Sequence, residues 1–192
     1  MSAVGGSALP APPLRERRWI PALAVAAVIV AVVAGGYVVA DALGRSPGAA
    51  TPVSASVTVT ALPGWELAER FGDPPGARFT RGNASLDVAS ISFTGSNLEL
   101  LTAYVNEVLE PDAGQLRVSE TVGSVALNDG LTGSRIVYVG TFGDVQAPIE
   151  GELTAVVSPT GVGVVFDGWA PSGQLRFVID DIRTMVRTAE IA

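Results

Sequence analysis

For 22 residues, from Trp19 to Ala40, the sequence carries no charge, and that run constrains everything that follows it. As a helix it is about 33 Å long at 1.5 Å per residue, the thickness of a bilayer hydrocarbon core. It has no polar face at any helical period, so it does not suit the surface of a soluble domain. Arg15, Arg17 and Arg18 precede it, whereas Asp41 and Arg45 follow. Basic flanks stay on the cytoplasmic side, so the residues beyond the run are exported. Ala40-Asp41-Ala42 has the small-x-small form that signal peptidase accepts, which keeps cleavage after Ala42 open. The run is longer than the roughly 7–15 apolar residues of a leader, which favours an uncleaved anchor. The expected order is a disordered cytoplasmic tail over 1–18, a single transmembrane helix over 19–43, a flexible linker over 44–56 and an extracytoplasmic domain over 57–192, all in a plasma-membrane protein.

The rest of the composition mainly excludes. The chain has no cysteine, so disulfides, thiolate metal sites and a lipid-modified cysteine are ruled out. It has no histidine, and its twelve basic residues are all arginine. The first eighteen residues carry +2 and the remainder −9, with nine arginines scattered among eighteen carboxylates. A phosphate backbone is bound by clustered cations that displace counterions, so nucleic acid is not an expected partner. The Ala, Val, Gly and Arg bias is that of a GC-rich bacterial genome.

Beyond the linker, the pattern is one of short strands. Val57-Thr58-Val59-Thr60 alternates and ends at Pro63-Gly64-Trp65; 77–82 and 85–93 are joined by a Gly82-Asn83 turn. Alternation slips between Leu86 and Val88 on one side and Ala89, Ile91 and Phe93 on the other, which predicts a bulge. Ser96 and Glu99 have capping-box spacing ahead of a helix with Leu98, Leu101, Val105 and Val108 at intervals of three and four, closed by Glu110-Pro111. Short strands at 116–122 and 124–128, an Asn128-Asp129-Gly130 turn and a second hairpin with Pro159-Thr160-Gly161 at its tip follow. A last helix is predicted over 172–188, with Leu175, Val178, Ile179, Ile182, Met185 and Val186 on one stripe. Strands, helix, strands, helix: an antiparallel sheet covered by two helices, an α+β fold preceded by one transmembrane helix.

That order, with VTALPGWEL at 59–67, LELLTAYVNEVL at 98–109, SRIVYVGTF at 134–142, the 151–170 hairpin and VIDDIRTMVRTAE at 178–190, resembles the Mog1/PsbP-like fold, including the LpqN-type lipoproteins of mycobacteria. The resemblance implies the fold of residues 57–190 and an actinobacterial-type envelope protein. Those lipoproteins carry a lipobox cysteine and this chain has none, so a transmembrane helix would stand in for the lipid. No functional residue of the Ran-binding or photosystem relatives falls on a motif here.

Without His, Cys or Lys, general acid–base chemistry near neutral pH is left to carboxylates, Tyr and hydroxyls. Asp180 with Asp181, and Glu150 with Glu152, are the carboxylate pairs within reach of one another in the chain, and a solvated face is the plainer account of both. Asn128-Asp129-Gly130 lacks the alternating acids of a calcium loop, and the Gly-bearing turns lack the Lys of a phosphate loop. No catalytic residue, metal or cofactor is therefore expected. Alternation opposes Phe166 to Val165, Asp167 and Trp169, so one of the two aromatics faces away from the main core. Trp65, Phe166 and Trp169 are the candidate binding surface. The expected function is a membrane-anchored, non-catalytic binding or accessory module for a cell-envelope protein. The alternative is a carrier of an apolar or cell-wall ligand, which needs an open pocket of about 300 Å³ or more; the third is a carboxylate-dependent hydrolase, which needs two converging carboxylates.

Overall fold

The computed structural model describes residues 48–143 and 148–192. The expected tail and transmembrane helix, and the first residues of the expected linker, lie outside the described residues. Strand β1 (Ala50–Pro52) begins inside the stretch expected to be linker, pairs antiparallel with β2 (Val57–Thr60), and is followed by a buried Val53. An apolar side chain with a strand to lie against stays with the domain. β2 also pairs with β11 (Glu190–Ile191), giving a small three-stranded sheet.

The main sheet has eight antiparallel strands. β3 (Glu66–Gly72), β4 (Pro75–Arg81) and β5 (Ala84–Ser92) form one side, and β10 (Val162–Pro171) and β9 (Ile149–Val157) the centre. β8 (Thr132–Phe142) then carries both β6 (Ala113–Val118) and β7 (Gly123–Ala126). β3 carries no clean alternation because six of its seven residues are exposed, so periodicity had nothing to report there.

Both faces of the sheet are covered, which explains the alternation slip in β5 without a bulge. Pairing of β5 with β4 and β10 is unbroken. Leu86 and Val88 point into one core, whereas Ala89, Ile91 and Phe93 lie on the other side of the strand. The irregularities fall instead between Leu67 and Glu69 and between Ala113 and Gln115, on the outer strands, where bulges are common.

The larger core joins Phe79, Leu86, Val88, Val164 and Phe166 of the sheet to Val57 and Val59 of the small sheet and to Ile182, Met185 and Val186 of helix α2 (Ile179–Arg187). The predicted last helix is shorter than expected. Gly173 turns at φ +81°, Leu175–Phe177 form a single 3-10 turn, and only then does α2 begin. The Leu175 N–H is taken by the Glu150 carboxylate rather than by an α-helical carbonyl. α2 approaches β10 closely at Gly168, where a Cβ would lie 2.6 Å from Ile182 Cγ2.

The second core lies under helix α1 (Asn97–Tyr104), which starts at the predicted capping box: Ser96 Oγ accepts from the Glu99 N–H, and the Glu99 carboxylate accepts from the Ser96 N–H. α1 continues through a π-helical turn (Val105–Leu109) and one last turn, Glu110–Asp112. Leu100, Leu101 and Leu109 pack on Ile136, Leu153, Ala155 and Val165, while Leu98 and Val108 are exposed. The predicted stripe is therefore rotated, because Leu100 rather than Leu98 faces the sheet.

Candidate functional site

On the α1 face, the antiparallel register lines up a row of polar side chains that no stretch of sequence contains together. Arg78 of β4 lies opposite Asp87 of β5, and Asp87 lies opposite Asp167 of β10. Two residues further along, Trp169 of β10 lies opposite Gly151 of β9, which is opposite Tyr138 of β8. Tyr104, at the end of α1, comes down from above. These groups floor a cleft of ≈ 610 Å³ between the sheet and the α1–π segment. Its walls include Phe71, Val108, Leu109, Phe142 and Ile149, and Asp112 also lines it.

The two aspartates converge but live differently. Asp87 accepts a bidentate pair from Arg78, Nε to Oδ1 at 2.6 Å and Nη2 to Oδ2 at 2.9 Å, and a further bond from Trp169 Nε1 at 3.3 Å. The Asp87 carboxylate in turn raises the Arg78 pKa, and Arg78 also stands 5.6 Å over the Phe71 ring. Asp167 has no cation beside it among the described residues. It is 4% exposed, and its partners are two phenols: Tyr138 donates to Oδ1 at 2.7 Å and Tyr104 to Oδ2 at 3.5 Å. Burial pushes the Asp167 carboxyl up to about 7, against the Tyr138 hydrogen bond that favours the charged form. Burial, and then the nearby Asp167, push both tyrosines upward as well, so they stay protonated donors.

Gly151 makes the Tyr138–Asp167 bond possible. Tyr138 is on β8 and Asp167 on β10, with β9 between them. A Cβ on Gly151 would lie 2.3 Å from Tyr138 Cζ. Glycine alone lets the ring lie across the intervening strand and put its hydroxyl on the aspartate.

The residues expected to form one aromatic surface are separated. Phe166 is fully buried on the opposite face, and Trp65 is 5% exposed in the same larger core, with its N–H on Asp181. A surface built on Trp65 and Phe166 is therefore corrected: both are core residues, because the small sheet and α2 cover the face they occupy. Trp169 alone lines the cleft. The carboxylate pairs singled out from the chain do not converge on a cleft either. Asp181 is bound to Arg81 and Trp65. Glu152, 4% exposed, takes a fork from Arg183, with Arg135 at 3.6 Å, while Glu150 caps Leu175. The pair that the fold does bring together has a faint mark in the sequence: Asp87 and Asp167 each interrupt an otherwise small or apolar strand interior, in SLDVAS and VVFDGWA. Their meeting is a matter of register, which a single strand does not encode.

No protein-family model matches the sequence, and no curated protein is detectably similar to it. Solved structures do match. Cyanobacterial PsbP (CyanoP) from Synechocystis aligns at a TM-score of 0.50 and 16% identity, over 76% of this chain and 98% of that one. The Ran-binding protein Mog1p of Saccharomyces cerevisiae aligns at 0.51 and 12%, over 71% and 90%. LpqN of Mycobacterium tuberculosis, described as involved in cell envelope biogenesis, aligns at 0.50 and 13%, over 77% and 86%. The domain has the Mog1/PsbP-like fold, as the resemblance in sequence pattern implied. At these identities the likeness concerns the fold, and function rests on the site.

Proposed function

We propose that this is a single-pass, N-terminus-in membrane protein of the cell envelope whose external domain is a non-catalytic binding module, holding a small, partly apolar ligand in the cleft under α1. The single observation that carries the reading is the cleft: ≈ 610 Å³, with apolar walls and a few polar groups converging on its floor. Pockets of that size and lining are typical of small-molecule sites. Of the functions the sequence allows, this favours a ligand carrier over a module that recognises an envelope protein through exposed aromatics, because Trp65 and Phe166 are buried. The charge-free run at 19–40 and its basic flank support the anchor and its orientation. The role of LpqN in envelope biogenesis suits that location.

One observation favours a second reading: Asp87 and Asp167 face each other across neighbouring strands, the pairing a carboxylate-dependent hydrolase needs. The binding reading accounts better for Asp87, which is tied to Arg78 at both oxygens and is not placed as a free nucleophile or base. A photo-crosslinking residue at Val108, exposed and on the cleft wall, tests the proposal in intact cells. The proposal expects a crosslinked species heavier than the protein by a small molecule's mass. A protein-sized adduct alone would contradict it and return the case to a protein partner.

A further inference from the structure

Resting on the cleft as a ligand site, the charges around it narrow the ligand's chemistry. Three carboxylates line the cleft among its described residues, Asp87, Asp112 and Asp167, against one guanidinium, Arg78. Arg78 is engaged at Nε and Nη2 by Asp87 and turns Nη1 toward Glu69 at 3.5 Å, so its charge is already shared between two carboxylates and reaches Asp167 only as a minor, through-space effect. The Asp167 side chain has only neutral hydroxyls for partners. A buried carboxylate without a counter-charge is costly, and its carboxyl is accordingly held up to about 7. A cation arriving in the cleft supplies the missing counter-charge. An anion meets three carboxyl groups and a single guanidinium already paired with Asp87 and facing Glu69. Tyr104, Tyr138 and Trp169 line the cleft as well, the two tyrosines with their hydroxyls on Asp167 and the tryptophan N–H on the neighbouring Asp87, and aromatic faces attract ammonium groups. The remaining wall is aliphatic or aromatic and suits a hydrocarbon body.

We propose that the cleft selects an amphiphile with a cationic head, seating the head against Asp167 beneath Trp169 and Tyr104 and its apolar body along Val108, Phe142 and Phe71.

Three probes of the same chain length separate charge from apolar character: hexylammonium, 1-hexanol and hexanoate. Each is titrated calorimetrically into the full-length protein in phosphatidylcholine nanodiscs, with empty nanodiscs subtracted. Hexylammonium is expected to bind at least tenfold more tightly than the other two, and Asp167→Asn to reduce that advantage below threefold. Asp87→Asn, which frees Arg78, is expected to tighten hexanoate binding at least threefold. If hexanol or hexanoate binds as tightly as hexylammonium and is lost in Trp169→Ala, the cleft remains a ligand site and the cation preference is wrong. An ammonium advantage that survives Asp167→Asn also overturns it. If none of the three binds the wild-type protein, the cleft reading falls together with the preference.

Discussion

Asp167 shows how much one residue decides. Its carboxyl titrates at about 7 in the folded protein, against roughly 3.9 in an unfolded chain. The folded state therefore holds the proton more tightly, and the resulting stability is full below about pH 4 and is lost as pH rises to about 7, where it levels off. The size of the loss is on the order of 4 kcal/mol at most, three pKa units at 1.36 kcal/mol each. The chain has no histidine, so few other groups titrate between pH 5 and 7. Urea unfolding of the wild type is expected to weaken steadily across that interval, and Asp167→Asn to remove most of the slope. An identical slope in the variant would mean that Asp167 is not the group responsible. Gly151 matters through its missing side chain, since any Cβ there meets the Tyr138 ring that partners Asp167.

At the scale of elements, α1 is a case in which sequence and structure agree at one end and part at the other. Ser96 and Glu99 cap each other's backbone as their spacing predicts. Ser96→Ala is expected to cost about 1 kcal/mol, read by chemical denaturation, and to leave the rest of the fold intact. The far end becomes a π turn at Val105–Leu109, a form often found at functional sites, and no propensity or period announces it. That turn follows Tyr104 and brings Val108 and Leu109 to the cleft wall. The hairpins were legible for a local reason: Gly82, Gly130 and Gly161 all adopt positive φ at the predicted turns, a conformation that glycine reaches without strain. β3 was not legible because six of its seven residues are exposed, with Phe71 alone partly buried. The candidate site was half legible. Alternation placed Asp167 and Trp169 together and opposed them to Phe166, but only strand pairing puts Asp87, Arg78 and Tyr138 beside them.

Across the whole domain, the sheet separates two kinds of interior. The α2 face closes into a core around Phe79, Leu86, Phe166 and Met185. The α1 face closes over Leu100, Leu101 and Leu153, then opens where the helix widens into its π turn. If the closed face serves stability and the open one binding, as proposed, Trp169→Ala acts on binding while sparing the larger core. The measurement that tests this account most directly is native mass spectrometry of the full-length protein extracted in mild detergent from its own cells, wild type beside Trp169→Ala. The account predicts a small-molecule adduct on the wild type that is absent from the variant, with the two circular dichroism spectra superimposable. A wild-type protein that carries no adduct, or an adduct equally abundant on the variant, would contradict it.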